Sequence, residues 1–197
     1  AISWAEFMQD YLPEEEGKKL LRLIKGIPHD DHMIHGDYHT KNLELQGDEV
    51  LLIDMDTLAV GHPILELASM FNAFRGFSES DPEHIKDFLG FDYETAGIFW
   101  KKTLSEYLGT TYEDKLKEVE DKARIIGYTR LIRRSIKRKG LEDEKKRAEI
   151  ESWKSKLLEL LSRTDTLIFS IDEIDVEAVS ENLPVVLDFI EKHLNRV

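Results

Sequence analysis

The chain has 197 residues and no cysteine, which excludes disulfides, thiolate metal sites and a cysteine nucleophile. It has no apolar run long enough to span a bilayer, and Ala1-Ile2-Ser3-Trp4 does not open a secretory signal. A cytoplasmic location is therefore expected, with no membrane partner. Also missing are internal repeats, low-complexity tracts and any Gly/Ser-rich linker. Positive charge is in deficit: the formal net charge is −13, which argues against generic nucleic-acid binding and suits a cationic small substrate. The first residue is Ala1, not methionine, so a fragment is expected. What is present is a hydrophobic fraction of 41%, enough for one ordinary core. Residues 1–197 are read as a single domain.

Periodicity predicts short helices over 4–11 and 14–26, with Leu20, Leu21, Leu23 and Ile24 as the buried stripe of the second. Gly26 and Pro28 end it. His32 to His35 reads as a short extended piece. Leu43-Glu44-Leu45 and Val50-Leu51-Leu52-Ile53 read as strands around a Gln46–Glu49 turn. Helices are expected over 63–74, from Ser80-Asp81-Pro82-Glu83 onward, and over 93–108, 112–139 with a break near Gly127, 141–162 and 174–194. Thr166 to Ile171 reads as a short strand. The fold class expected is α+β, mostly helical, with one small β-hairpin.

At that hairpin the chemistry concentrates. His35-Gly36-Asp37-Tyr38-His39-Thr40-Lys41-Asn42 precedes it, and Ile53-Asp54-Met55-Asp56 closes it. Folding the hairpin back brings Asn42 and Asp54 together. Phosphoryl transfer needs an acceptor hydroxyl held in line and its proton accepted, which Asp37 can do. Magnesium takes hard oxygen ligands and keeps several waters, so one amide (Asn42) and one carboxylate (Asp54) suffice. Alone, Asp37 reads as a turn brace, Asn42 as an Asx turn and Asp54 as a strand cap; none of these explains the three in register. Asp56 is a second metal ligand or a turn acceptor, the latter favoured. His35-x-Asp37-x-His39 also permits a metal-dependent hydrolase, but the other histidines lack ligand spacing. His35 is read as a packed loop anchor, His39 as a loop brace and Lys41 as solvated.

These segments resemble the aminoglycoside phosphotransferase and choline kinase-like family, small-molecule relatives of protein kinases. His35 to Leu43 is similar to its catalytic loop, and Ile53 to Asp56 to its metal-binding segment. Gly61-His62-Pro63-Ile64-Leu65-Glu66-Leu67-Ala68 is similar to a downstream segment in which Glu66 stands where the family usually has aspartate. The resemblance covers residues 32–74. It implies a protein-kinase-like C-terminal lobe, with residues 80–197 as a helical substrate side, Asp37 as base, and Asn42 and Asp54 holding Mg2+ and the ATP or GTP co-substrate. His35, His39, Asp56 and Glu66 would support them. It implies a γ-phosphoryl transfer to a hydroxyl of a small molecule, aminoglycoside-like or choline-like. The family's N-terminal nucleotide lobe is expected to be absent from this chain, leaving the lobe inactive alone. A non-catalytic kinase-like binding module is the other alternative.

The substrate side is less specific. Glu113-Asp114, Glu118, Glu120-Asp121 and Glu142-Asp143-Glu144, with Phe91, Tyr93, Phe99, Trp100 and Tyr107, are candidates to meet a cation; a solvated face and ordinary core are favoured. Residues 122–139 carry eight basic and no acidic residues, interleaved with an apolar stripe. Pairing of this helix with the chain's own acidic helices is expected, and substrate phosphate binding is a lesser reading.

Overall fold

The computed structural model describes residues 1–169. Seven helices and two antiparallel strand pairs make up the described residues: α1 Ile2–Met8, α2 Glu14–Lys25, β1 Met33–Ile34, β2 Leu43–Gln46, β3 Glu49–Leu52, β4 Ala59–Val60, α3 Ile64–Phe74, α4 Glu83–Leu89, α5 Tyr93–Leu108, α6 Glu113–Lys137 and α7 Glu144–Arg163. The fold is α+β and mostly helical, as the periodicity predicts. The expected helix over 174–194 lies outside the described residues. Residues 166–169 form no strand, a correction to the expected strand over 166–171, whose last two residues are also outside. The backbone there is claimed instead by a helix: Lys122 Nζ donates to the Ile168 carbonyl at 2.8 Å.

The core is built around α3. Its sequence is apolar on every side, and Ile64 and Leu67 through Phe74 are all buried. Such a helix must be enclosed by others, and α5 and α6 enclose it. Phe71 meets Trp100 of α5 and Tyr128 of α6 edge-on, at centroid distances of 6.2 and 5.5 Å. The terminal helices close the structure, α1 against α2 and α6, and α7 against α6 and α2. Helix ends follow local chemistry. Asp92 accepts from Thr95 N at 2.7 Å and Asp143 from Lys146 N at 2.8 Å, which satisfies otherwise orphaned amides.

Two differences from the sequence reading have clear causes. Helix α6 runs unbroken through Gly127, because that glycine is where α3 approaches most closely. Asn72 Nδ2 donates to the Gly127 carbonyl at 3.2 Å. The second is β4, a two-residue strand that pairs Val60 with Met33 and Ala59 with Ile34. Two-residue pairings leave no periodicity to detect. The β2–β3 hairpin, registered Leu43↔Leu52 to Gln46↔Glu49, is nested between β1 and β4 and contributes little to the core. Leu45, Val50, Leu51 and Ile53 are exposed, as are Met33, Met55, Leu58 and Val60 around it.

Gly127 yields a test of the α3–α6 contact. A Cβ there would lie 2.8 Å from both Asn72 Oδ1 and Phe71 Cδ1. Replacing glycine by alanine in a helix gains up to ~1 kcal/mol, whereas overpacking costs about 1–3 kcal/mol. Gly127→Ala is therefore expected to lower the urea midpoint. A raised midpoint would show slack in this interface.

Candidate active site

The loop after β1 is held by its backbone. Gly36 has φ +79°, and a Cβ there would sit 3.2 Å from the Thr57 carbonyl, so only glycine fits without strain. Its peptide groups are gripped from two helices. The Gly36 N–H donates to Glu66 Oε2 at 2.8 Å, and its carbonyl accepts from Ser69 Oγ at 2.6 Å and from Arg130 Nη1 at 3.4 Å. Arg130 also donates to Ser69 Oγ at 3.1 Å. Glu66, longer than aspartate by one methylene, still reaches the loop. Its other oxygen, Oε1, is buried with no hydrogen-bond partner among the described residues.

His35 joins the two halves of the motif. Its Nδ1 accepts from the Asp37 N–H at 3.3 Å, so the proton resides on Nε2, which donates to the Ile53 carbonyl at 3.0 Å. The Thr57 hydroxyl donates to the His35 carbonyl at 2.5 Å. With both ring nitrogens engaged, His35 is unavailable as a metal ligand. The His35/Asp37/His39 ligand set of a metal-dependent hydrolase therefore does not assemble.

Asn42 is buried in a single-turn 3-10 helix, Thr40–Asn42. Its Nδ2 donates to the Asp37 carbonyl at 2.9 Å, and its own carbonyl accepts from Ile53 N at 2.9 Å. That commits the amide nitrogen and leaves Oδ1 as its side-chain acceptor. One residue on from Ile53, Asp54 has φ 61° and ψ 62°, a left-handed conformation that costs a non-glycine residue energy and clusters at functional sites. It makes no side-chain capping bond. The strand-cap reading of Asp54 thus fails. Asp56 lies exposed in the following 3-10 turn, Met55–Thr57, and makes no hydrogen bond there, so the favoured turn-acceptor reading is corrected too.

Asp37 has its side chain about half exposed at 49%, with His39 Nε2 3.7 Å from Oδ2. His39 is buried against Phe88, edge-on at 5.0 Å. Burial holds it below the ordinary 6.5, with the Asp37 charge opposing. Lys41 is exposed, its ammonium 5.3 Å from the Phe88 ring. The structure thus brings Asp37, Asn42 and Asp54 onto one scaffold, with His35 at its centre and Glu66 beneath.

Residues 4–99 match the model of the phosphotransferase enzyme family. That segment is similar to phosphotransferase-family sequences. The match contains the whole loop, hairpin and Glu66. No curated protein and no solved structure matches the chain. Sequence reading missed three groups that position the Asp37 loop: Thr57, Ser69 and Arg130. Ser69 had a signal, because Glu66, Ser69 and Asn72 are polar residues spaced three apart on an otherwise apolar helix. Of the suggested substrate acids, Glu113 pairs with Lys101 at 2.6 Å, Glu118 with Lys122, and Asp121 with Lys117 at 3.0 Å. Phe91, Phe99 and Trp100 are core.

A pH dependence follows from two of the buried histidines, His39 and His62. Burial lowers His62 as well as His39, with Asp30 opposing at His62. Between the folded value and the ordinary 6.5, the unfolded chain binds more protons than the folded one, so stability rises with pH there. The urea midpoint is expected to fall as pH is lowered from 7.5 through that window. Both imidazoles should titrate below 6.5 by NMR; a value above it for His39 would refute the burial argument.

Proposed function

We propose that this chain supplies the acceptor side of an ATP-dependent kinase acting on a hydroxyl of a small molecule. The observation that carries the reading is the His35 bridge, which holds the backbone of Asp37 and that of the residue before Asp54 at fixed separation. The likeness of residues 4–99 to the phosphotransferase family supports phosphotransfer in general, and the polar set around His35 supports the finer assignment. Asp37 is the base: it is solvent-accessible and carried by a loop pinned through both polar groups of Gly36. It orients the hydroxyl and takes its proton as the phosphoryl group arrives. Asn42 through Oδ1 and Asp54 through its carboxylate fit a hard cation, because both present oxygen with no competing side-chain bond among the described residues. Magnesium held there would neutralise charge on the phosphates. The exposed apolar side chains flanking Asp54, Ile53 and Met55, support a nucleobase-facing surface on that side.

His39 braces Asp37: its ring is buried against Phe88 with Nε2 3.7 Å from the carboxylate, and burial disfavours its protonated form.

Mn2+ in place of Mg2+ is expected to broaden the amide resonances of residues 42 and 54 in the 197-residue chain, and Asp54→Ala should remove that broadening. In an assembly that transfers phosphate, Asp37→Asn should reduce turnover by about 10²–10⁴ while leaving metal binding intact. Turnover near wild type in Asp37→Asn would remove Asp37 from the role of base.

A further inference from the structure

A second feature adjoins the loop. A groove of about 520 Å³ lies between α4 and α6, with Glu83 and Asp87 on one wall and Arg134 and Arg138 on the other. Glu83 and Asp87 are spaced i, i+4 on α4 and share a face, whereas Arg138 is the C-cap residue of α6, four residues after Arg134. The other charged lining groups are neutralised locally, Lys145 by Asp81 at 3.0 Å and Lys146 by Glu149 at 2.8 Å. Arg134 and Arg138 have no carboxylate partner among the described residues, and neither Glu83 nor Asp87 has a cationic one. The groove separates opposite charges that would otherwise pair.

Both walls are attached to the Asp37 loop. Arg130 of α6 donates to the Gly36 carbonyl, Arg134 continues the same face one turn on, and Arg138 follows at the C-cap. Phe88, next to Asp87, carries His39 and Lys41 on its ring. Arg134 stands 4.9 Å over Phe77. Partial desolvation and the neighbouring Arg138 and Arg130 push it below the usual arginine range, while the Asp37 charge offsets this. The Arg130 bond to the Gly36 carbonyl, one residue before Asp37 and one helical turn before Arg134, joins the Asp37 loop to this wall of the groove.

We infer that the groove is the acceptor site and takes a small hydroxylated zwitterion, its anionic group on Arg134 and Arg138 and its ammonium toward Asp87 and Glu83. This rests on the phosphotransfer reading above. A purely cationic acceptor would leave two adjacent guanidiniums unpaired beside it, and a purely anionic one would meet two carboxylates. A zwitterion satisfies both walls and leaves its hydroxyl free for Asp37.

Serine and its two half-molecules test this on the 197-residue chain. Ethanolamine lacks the carboxylate, and 3-hydroxypropanoate lacks the ammonium. NMR titration should show serine shifting resonances of α4 and of residues 130–138, with each half-molecule binding at least tenfold more weakly. Arg134→Met should weaken serine and 3-hydroxypropanoate but not ethanolamine, and Asp87→Asn should weaken serine and ethanolamine but not 3-hydroxypropanoate. Ethanolamine binding as tightly as serine, or serine binding unchanged in both variants, overturns the assignment. Mn2+ broadening at residues 42 and 54 without serine binding at the groove sinks the zwitterion alone. Serine binding without that broadening removes the phosphotransfer reading and the acceptor role with it.

Discussion

One imidazole sets the geometry of the candidate site. His35 accepts from the Asp37 amide and donates to the Ile53 carbonyl, so a single rigid ring couples the loop before the hairpin to the turn after it. Because the ring is neutral and both nitrogens are engaged, rotation would break two bonds in a buried setting, and each lost partner there costs about 1–3 kcal/mol. The left-handed Asp54 backbone directly follows the residue that His35 holds. Its strain is tolerated because the preceding carbonyl, the Asn42–Ile53 backbone bond and the Thr57 hydroxyl all constrain the same few residues.

That arrangement depends in turn on α3. The helix is buried for packing reasons, yet it spends two positions, Glu66 and Ser69, on the Gly36 peptide. The loop is therefore referenced to the most enclosed element of the fold, while the hairpin it feeds is largely exposed. Rigidity at Asp37 and accessibility at Asp54 come from this division: one side rests on the core and the other stands clear of it.

Helix α6 divides along its length in a way its charge pattern only partly announces. Toward its N-terminus, Lys122 and Arg124 meet Glu118 and Asp121, so the pairing expected with other acidic helices is made there within α6 itself. Further along, Arg130 turns to the loop backbone, and Arg134 and Arg138 face the groove without a carboxylate. A run of like charges became a structural clamp at one end and an open face at the other, since only the first part lies beside acidic side chains.

By itself the sequence determined the helix-dominated class, most element positions and the motif. Apolar periodicity, capping residues and the spacing of Asp37, Asn42 and Asp54 are all local properties, and local properties survive in one dimension. The hairpin was legible because its two strands flank a short turn. Tertiary structure alone decided the rest. Gly127 reads as a helix break until Phe71 and Asn72 are seen against it; β4 exists only through its pairing with β1; and Asp56, plausible as a turn acceptor, makes no such bond. Thr57, Ser69 and Arg130 gained their roles from contacts separated by 22, 33 and 94 residues. No pattern within one segment encodes which distant peptide a side chain will meet, because that is fixed by how the helices pack.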